Sequence, residues 1–453
     1  MAKKIDATTG NLIKKIFAYT IPLILSTMLQ NSFTIADQAV LGNLAGSVAV
    51  ASIGATSVVT SLIINGAVGL STGVSIILAR YVGQKDEEKM RKTIDTALIT
   101  AVLFGVVIAV AGVLLAPMFL KATNCPDECF DDAVLYARIF FIGAPATLFY
   151  NYSSAVLRTL GDTKRPLYYI TVAGVVNVVL NVILCLILPQ KVAAVAIATI
   201  ASRVISGAMA VRRLSCFDGS VMFSIRKIRF CFDTFVLILR FGVPTSVTQM
   251  MLPLANLQIT PAINSYGADA VAGNAAAISL QNITVAVRSG FAIAATTFIG
   301  QNIGAQNKDR VRRSFWYTLG FGALISEALG AALYFSGRFW IGIIVGASSQ
   351  TAIDYGMYRM FFIVLFTFVY AISNVLAHSL QAFGHPFFTS ISNIAFTLGF
   401  RVVWMQFVYP LCPQFSTIML CFLVSWTLNG ILYAIFFAVV YRRYMKKSIC
   451  KKI

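Results

Sequence analysis

Long apolar segments alternate with short polar segments along the whole chain. The first long stretch, residues 16 to 79, carries one formally charged side chain, Asp37. Its length suffices for two membrane crossings of about 20 apolar residues each, with a turn expected from Gly42 to Val48. The same pattern continues to the end of the chain and predicts twelve spans, at residues 16–41, 49–79, 93–120, 132–157, 165–189, 191–211, 233–262, 269–300, 311–336, 351–383, 386–410 and 414–441.

This pattern predicts an all-α polytopic membrane protein, and the composition agrees with it. Hydrophobic residues make up 58% of the 453 residues, charged residues make up 12%, and the mean hydropathy is +0.80. The apolar segment after MAKKIDATTGNLIKK continues through Asp37 without a small-residue cleavage site. We therefore expect an uncleaved first span and not a signal peptide.

The sequence lacks the features of an enzyme, a primary pump or a receptor. It has no GxxxxGK[ST] phosphate loop and no gap long enough for a nucleotide or receptor domain. Two histidines and scattered cysteines without a CxxC pair form no metal-ligand pattern, so no metal or cofactor is expected. Cys125 and Cys129 lie in a gap predicted to face outside, where free thiols and a small disulfide are the two alternatives.

The basic residues follow an alternating distribution. Of the 36 Lys and Arg residues, 28 lie in alternate gaps, whereas the intervening gaps hold only Lys121, Lys191 and Arg338. By the positive-inside rule, this bias predicts a plasma-membrane protein with both termini in the cytoplasm. The net charge of +19 therefore indicates contact with membrane lipids and not with nucleic acid.

The chain also repeats itself. GSVAVA at Gly46 matches GADAVA at Gly267, and LRTLGDTKRP at Leu157 matches LQAFGHP at Leu380. Each half starts inside and has six spans, so we expect two six-helix lobes in a parallel 6+6 repeat around a central site. The predicted boundaries are an N-terminal lobe at 1–211, a basic amphipathic cytoplasmic linker at 212–232, and a C-terminal lobe with a basic tail at 233–453.

Prolines within two of the predicted spans favour bends. Pro145 lies in the fourth span, and Pro244, Pro253 and Pro261 lie in the seventh. Each proline removes one backbone hydrogen bond of the helix. The resulting kinks fit two alternatives, gating hinges and plain helix bends.

Asp37 is the first candidate functional residue. An aspartate at the centre of a membrane helix costs roughly 2.5 to 3.5 kcal/mol, so its presence indicates an ion pathway or a proton relay. The alternative is structural: the expected turn lies about 8 Å away along the helix, within reach of the membrane interface.

Four motifs in order resemble the multidrug and toxic compound extrusion (MATE) family, in its bacterial DinF-like branch. They are the proline-led first span that ends in TIADQAVLG, the turn LRTLGDTKRP, the run FIGQNIGAQNKDRVRR, and the 6+6 basic layout. The resemblance covers essentially the whole chain. It implies an efflux antiporter that exchanges a proton or a sodium ion for an amphipathic, often cationic, organic compound.

The resemblance also implies a cation-coupling site made of Asp37, Asn177, Asn181 and Thr199. Helix geometry supports this set, because Asn177 and Asn181 lie one turn apart on one helix face. Asn181 and Thr199 also lie about 12 Å and about 11 Å from the predicted outer ends of their spans. All four residues are therefore expected in the outer leaflet.

Asn181 departs from the family pattern, in which an aspartate is common at this position. A sodium site prefers several charged or carbonyl oxygens, and this set has only one carboxylate. Burial in a low-dielectric span favours the protonated form of an acid without further help. The sequence thus favours proton coupling and leaves sodium as the alternative.

Three further charges are predicted to lie within the membrane. Glu327 lies about 21 Å along its helix from Arg313, too deep to reach the cytoplasm. It is a candidate second acid, substrate counter-ion, or structural partner of Arg288 or Arg401. The two arginines fit structural pairing best, and Arg203 is expected to extend toward the cytoplasm.

A drug-sized amphipathic substrate requires an adaptable, mostly apolar cavity with few polar groups. Candidate lining residues combine methionines at equivalent repeat positions, aromatic residues of the fourth span, and polar residues of the first and seventh spans. They are Met28, Gln30, Asn31, Thr34, Phe149, Tyr150, Asn151, Tyr152, Gln249, Met250 and Asn256. Packing or lipid-facing positions are the alternative for each.

The competing function closest to efflux is a lipid-linked glycan or lipid flippase of the same superfamily. Such proteins tend toward more spans and a cationic cavity for pyrophosphate, whereas the predicted intramembrane cations are few here. The sequence therefore favours a secondary active multidrug efflux antiporter that works as a monomer on small-molecule substrates.

Overall fold

The computed structural model describes residues 5–122, 125–216, 228–346 and 348–446. The described residues are almost entirely helical, which confirms the predicted all-α class. Fifteen α-helices are present in these ranges: α1 Leu12–Gln84, α2 Glu87–Ala122, α3 Asp127–Ile142, α4 Ala144–Thr159, α5 Lys164–Ile187, α6 Lys191–Ser215, α7 Phe232–Asn264, α8 Ala268–Gly304, α9 Lys308–Phe335, α10 Gly337–Val345, α11 Gln350–Arg359, α12 Thr367–Ala382, α13 Pro386–Asn393, α14 Phe400–Val403 and α15 Phe415–Lys446.

The number of apolar helices agrees with the predicted number of spans. Within the described ranges, ten helical segments are long and apolar enough to cross a membrane, and two bent helix pairs raise that number to twelve. The predicted linker lies only partly in the structure, because residues 217–227 are outside the described ranges.

The turn predicted at Gly42 to Val48 is wrong, because helical structure continues through these residues as part of α1. The segment contains Gly42 and Gly46 but no proline. Glycine costs a helix about 1 kcal/mol relative to alanine, whereas only proline removes a backbone hydrogen bond. Two separate apolar windows remain within α1, Leu12–Asp37 and Ser52–Gln84, as the span prediction requires.

Bends occur in the fourth and tenth predicted spans. The break between α3 and α4 is at Gly143, two residues before Pro145, and the two helices differ in direction by 46°. The segment Gln350–Val364 meets α12 at 42°. In contrast, α7 is one helix despite its three prolines.

Some helical segments have π-type hydrogen bonding. One follows α11 at Met360–Val364, and two flank α14 at Ile394–Gly399 and Trp404–Val408. Such segments widen a helix by one residue per turn and are frequent at functional sites.

Backbone contacts divide the chain into two compact units. Unit 1 comprises Met1–Asp6 and Leu25–Met250, and unit 2 comprises Ala7–Ile24 and Met251–Ile453. The first part of α1 therefore belongs with the second half of the chain, and the first part of α7 belongs with the first half.

Unit 1 has an apolar core in which α1, α2, α4 and α5 meet. Leu98, Leu148, Tyr152 and Leu157 are fully or almost fully buried there. Close backbone approach holds part of this unit together: a Cβ on Gly69 would lie 2.3 Å from the Ser246 Cα. Thr245 donates a hydrogen bond of 2.6 Å to the Gly69 carbonyl at the same crossing.

In unit 2, the FIGQNIGAQNKDRVRR segment binds the backbone of residues 7 to 10, just before α1. The Ala7 backbone N–H donates to Gln301 Oε1 over 3.1 Å, and the Asn302 amide donates to the Ala7 carbonyl over 3.2 Å. Arg310 donates from its three nitrogens to the carbonyls of Ala7, Thr9 and Gly10. These bonds satisfy backbone groups that precede α1.

Helices α8 and α11 of unit 2 approach each other at two glycines. A Cβ on Gly273 would lie 1.9 Å from the Ala352 carbonyl oxygen and 2.9 Å from the Gly356 nitrogen. Since both atoms are backbone, no side-chain rotation relieves this overlap. The crossing therefore requires glycine at 273.

We expect Gly273→Ala to destabilise the protein by about 1 to 3 kcal/mol, because the added methyl group must push α11 away from α8. Thermal unfolding of the purified protein in detergent measures the effect. Gly320→Ala on α9 is the matched control, since no atom lies within 4 Å of its added Cβ. Gly320→Ala should raise stability by about 1 kcal/mol, because alanine favours a helix over glycine. Equal melting temperatures for the two variants would therefore contradict the tight crossing at Gly273.

Candidate functional site

Asp37 is half-buried at the end of the first apolar window of α1. The Asn181 amide nitrogen on α5 donates to Asp37 Oδ1 over 2.6 Å. Asn181 is fully buried and Asn177 is 5% exposed. Both amides point toward the same side of α5, because they are one helical turn apart.

Asn177 completes the contact when its amide orientation is assigned from its hydrogen bonds. Its nitrogen then donates to Asp37 Oδ1 over 2.6 Å and to Oδ2 over 3.1 Å. Its oxygen accepts a hydrogen bond of 3.3 Å from the Thr199 backbone N–H. The structure therefore brings together the four residues of the predicted coupling site. The Thr199 hydroxyl itself donates to the Val195 carbonyl of its own helix.

Two further residues act on the Asp37 carboxylate. The positive charge of Arg203 on α6 attracts it, although no ion pair within 4 Å joins them in the described part of the chain. Tyr136 on α3, 8% exposed, lies within electrostatic range of the same carboxylate. Arg203 lies four residues from Thr199 on one face of α6. The expected extension of its side chain toward the cytoplasm stays a prediction.

The residues around Asp37 suit both the charged and the neutral form of its side chain. As a carboxylate, Asp37 accepts hydrogen bonds from two amide nitrogens. As a neutral acid it requires an acceptor for its own O–H. Asn181 Oδ1 is buried without a hydrogen-bond partner in the described part of the chain, so this amide retains an unused acceptor.

Glu327 does not pair with Arg288 or Arg401. Its Oε2 accepts a hydrogen bond of 3.1 Å from the backbone N–H of Phe368, in the first turn of α12. A carboxylate at a helix N-terminus satisfies a backbone donor that the helix leaves free and is attracted by the helix dipole. The two arginines are buried elsewhere in unit 2.

The candidate substrate residues fall into two groups. Tyr150 and Tyr152 belong to the apolar core of unit 1, where they are 5% and 0% exposed, and Phe149 packs against that core. The Asn151 amide donates to the Thr147 carbonyl of its own helix. The other group is accessible: Gln30, Thr34 and Asn256 are exposed, and Met28, Asn31, Gln249 and Met250 are half-buried.

Cys125 and Cys129 are free thiols with their sulfur atoms 3.8 Å apart. Burial and the neighbouring Cys129 thiol raise the pKa of the Cys125 thiol to about 11, so it is protonated at neutral pH. No group of three His, Cys, Asp or Glu residues suited to a metal ion occurs within the described ranges.

Comparison with known proteins gives three findings. A profile of the MatE family matches residues 22–183 and 244–405, once in each half of the chain. The probable multidrug resistance protein YpnP of Bacillus subtilis (strain 168) is 29% identical over 417 residues, which cover 91% of each chain. The FAD transporter of Shewanella oneidensis is 26% identical over 313 residues, which cover 67% of this chain and 68% of that protein.

The fold also matches solved structures. The crystal structure of MATE in the bent conformation aligns with a TM-score of 0.89 at 21% identity. The alignment covers 98% of this chain and 99% of that chain. The family profile matches once in each half of the chain, which agrees with the predicted internal repeat. The structural alignment extends over nearly the whole chain.

We expect Glu327→Ala to destabilise the protein by about 1 kcal/mol, because Phe368 loses its hydrogen-bond acceptor at the start of α12. Glu327→Gln keeps an acceptor oxygen and should lose less stability. Thermal unfolding of the purified protein in detergent gives the stability. Equal melting temperatures for Glu327→Ala and the wild type would contradict this role of Glu327 at the start of α12.

Proposed function

This chain belongs to the multidrug and toxic compound extrusion (MATE) family of membrane transporters, and we propose that it exports amphipathic, often cationic, organic compounds in exchange for protons. The observation that carries the proton part of this proposal is the Asp37 carboxylate, held by two buried amides within the helices of unit 1. A buried acid with neutral hydrogen-bond partners can gain and lose a proton without a change of fold.

The two asparagines suit both charge states of Asp37. Rotation of one side-chain amide by half a turn exchanges its N–H₂ donor for its oxygen acceptor. With the carboxylate charged, both amides donate to it; with the acid neutral, one amide presents its oxygen to the new O–H.

Coupling follows if the proton and a cationic substrate exclude each other. The carboxylate attracts an organic cation, and the neutral acid does not. Each ligand then lowers the affinity of the other by the same factor, as linkage requires. In the proposed cycle, a proton from outside releases the substrate, and loss of that proton to the cytoplasm restores affinity.

Sodium is the weaker candidate for the coupling ion. Asp37, Asn177, Asn181 and Thr199 have oxygens enough to bind a sodium ion when the amides rotate. However, only one carboxylate, Asp37, is present in this set to offset dehydration of the ion. This single charge favours the proton.

The proposal includes a location and an orientation. The alternating distribution of Lys and Arg supports a plasma-membrane protein with both termini in the cytoplasm. The division into six-helix lobes at 1–211 and 233–453 around a central site belongs to the same proposal. We also propose that the protein works as a monomer. The flippase alternative is not favoured by the family and its multidrug relatives.

Organic anions are the second candidate class of substrate. One relative is described as a FAD transporter, and FAD carries a pyrophosphate group. The observation in this chain that favours an anion is the set of fully buried arginines in unit 2, which includes Arg288 and Arg401.

We expect Asp37→Asn to abolish proton-driven export of a cationic dye from proteoliposomes, because the amide cannot carry the proton. The fold should remain intact, since Asn keeps one acceptor oxygen for the two neighbouring amides. Asp354→Asn is the matched control: Asp354 is exposed and pairs with Arg338 over 2.6 Å. Export by Asp37→Asn at the wild-type rate would refute the assignment of the coupling acid.

We expect Asn181→Asp to increase the sodium dependence of export, because a second carboxylate offsets the dehydration of the ion. Export is measured with a sodium gradient while the pH is clamped equal on both sides. Under these conditions the wild-type protein should show no sodium-driven export. Sodium-driven export by the wild type would show that one carboxylate and two amides suffice, and that the proton is the wrong ion.

A further inference from the structure

Unit 2 buries three arginines within its helices. Arg288 on α8, Arg359 at the end of α11 and Arg401 on α14 are 2%, 6% and 0% exposed. Arginine remains charged at any physiological pH, so each burial requires compensation by hydrogen bonds or by an opposite charge.

Within the described part of unit 2, no carboxylate pairs with these arginines. From Met251 onward the sequence has four acids, Asp269, Asp309, Glu327 and Asp354. Asp309 pairs with Arg312, Asp354 pairs with Arg338, and Glu327 bonds to the Phe368 backbone. Asp269 lies in the first turn of α8, and none of the four is among the charges that act on the buried arginines.

Two of the arginines share one aromatic ring. The guanidinium carbons of Arg359 and Arg401 lie 5.4 Å and 4.3 Å from the centroid of Phe422. The charge of Arg401 acts unfavourably on Arg359, so the two cations repel each other. The face of the Phe422 ring attracts each guanidinium group, but this attraction does not cancel the repulsion between the charges of Arg359 and Arg401.

Side-chain amide oxygens accept hydrogen bonds from two of the three buried arginines. Arg359 donates to Gln281 Oε1 over 3.0 Å and 2.8 Å, and to Asn274 Oδ1 over 2.9 Å. Arg401 makes only long contacts, of 3.4 Å, with Asn256 Oδ1 and Ser425 Oγ. These partners are neutral, so the positive charge of the cluster is not balanced.

Several buried donors in the same region have no hydrogen-bond partner among the described residues. They are Arg288 Nε and Nη1, Arg401 Nη2 and Trp426 Nε1. Arg288 lies over the Tyr370 ring at 4.2 Å and within 6.0 Å of the Trp426 ring centroid. All four free atoms are donors, and the ligand that satisfies several such donors together with an excess positive charge is an anion.

The backbone around the cluster is irregular where the arginines lie. Arg359 directly precedes the π segment Met360–Val364, and Arg401 lies in the four-residue helix between two further π segments. The amides extend toward accessible surface, because Asn256 is exposed and Asn274 and Gln281 are half-buried. The amides that bind Arg359 and Arg401 are therefore themselves partly accessible from the exterior of unit 2.

We propose that Arg288, Arg359 and Arg401, with the ring faces of Tyr370, Phe422 and Trp426, form a binding site for the phosphate or another anionic oxygen group of an aromatic organic molecule. The arginines bind the anionic oxygens and the rings contact the aromatic part. This inference adds a binding site in unit 2 to the proposed transport function and does not depend on the coupling ion.

The test uses the full chain purified in an uncharged detergent, with phenyl phosphate as the probe and thermal unfolding as the readout. A ligand that binds only the folded state raises the melting temperature in a saturable way. We expect this result with phenyl phosphate and not with phenol, which has the same ring without the phosphate.

Variants assign the binding to the arginines. Arg359→Gln and Arg401→Lys should each weaken phenyl phosphate binding at least tenfold. The matched control is Arg338→Gln, which removes an exposed arginine of the same unit and should leave the affinity unchanged. Arg401→Lys keeps the charge and loses the planar fork, so it also tests the proposal if Arg359→Gln fails to fold.

Separate arms identify the source of the anion. Saturable stabilisation by inorganic phosphate equal to that by phenyl phosphate would show that the rings add nothing to binding, and would overturn the aromatic part of the proposal. Stabilisation of the delipidated protein by phosphatidylglycerol but not by phosphatidylcholine, stronger than that by phenyl phosphate and lost in Arg359→Gln, would likewise replace the aromatic ligand with a lipid headgroup.

The absence of binding by all three anions would overturn the proposal, as would equal binding by wild type, Arg359→Gln and Arg401→Lys. The arginines would then be structural, held by ring faces and amides alone. Asp37→Asn should retain phenyl phosphate binding, since Asp37 belongs to unit 1. Failure of the coupling proposal and failure of the anion site therefore give different results.

Discussion

The constraint on which this structure depends is the cost of placing a charge among apolar helices. Each such charge requires hydrogen-bond partners or an opposite charge, since water is absent. Unit 1 meets this requirement for Asp37 with the amides of Asn177 and Asn181. Unit 2 places arginines against aromatic rings and neutral amides instead. The positions of the polar residues follow from these requirements.

The two halves repeat in sequence but differ in the charged side chains at equivalent helices. The first half has a carboxylate on α1, whereas the corresponding segment of α7 has Gln258 and Ile259 and no acid. Two residues earlier, Asn256 accepts a hydrogen bond from Arg401. A duplicated helix scaffold can thus bind groups of different charge in its halves, because single side chains set the chemistry and the scaffold sets the geometry.

Much of the fold and part of the Asp37 site could be predicted from the sequence. Membrane spans follow from hydropathy, and the face of a helix on which a residue lies follows from the helical period. Asn177 and Asn181 were placed on one face of α5 in this way. Other features depend on packing between distant segments. The cap that Glu327 provides for α12 and the approach of Arg203 to Asp37 require the relative placement of helices. Continuous helix through Gly42 to Val48 shows that glycine alone does not end a helix.

Two of the motifs that identify the family, FIGQNIGAQNKDRVRR and LRTLGDTKRP, lie apart from the residues that carry the proposed function. Gln301, Asn302 and Arg310 of the FIGQNIGAQNKDRVRR segment bind the backbone at Ala7 to Gly10. In LRTLGDTKRP, Gly161 has a φ of 84°, and a Cβ there would lie 2.2 Å from the Ile5 carbonyl oxygen. Both motifs therefore fix the beginning of the chain against the helices. A match to such motifs identifies the family, whereas the choice between proton, drug cation and organic anion rests on Asp37 and the buried arginines. Asp37 lies in the TIADQAVLG motif, and the arginines Arg288, Arg359 and Arg401 lie outside all the quoted motifs.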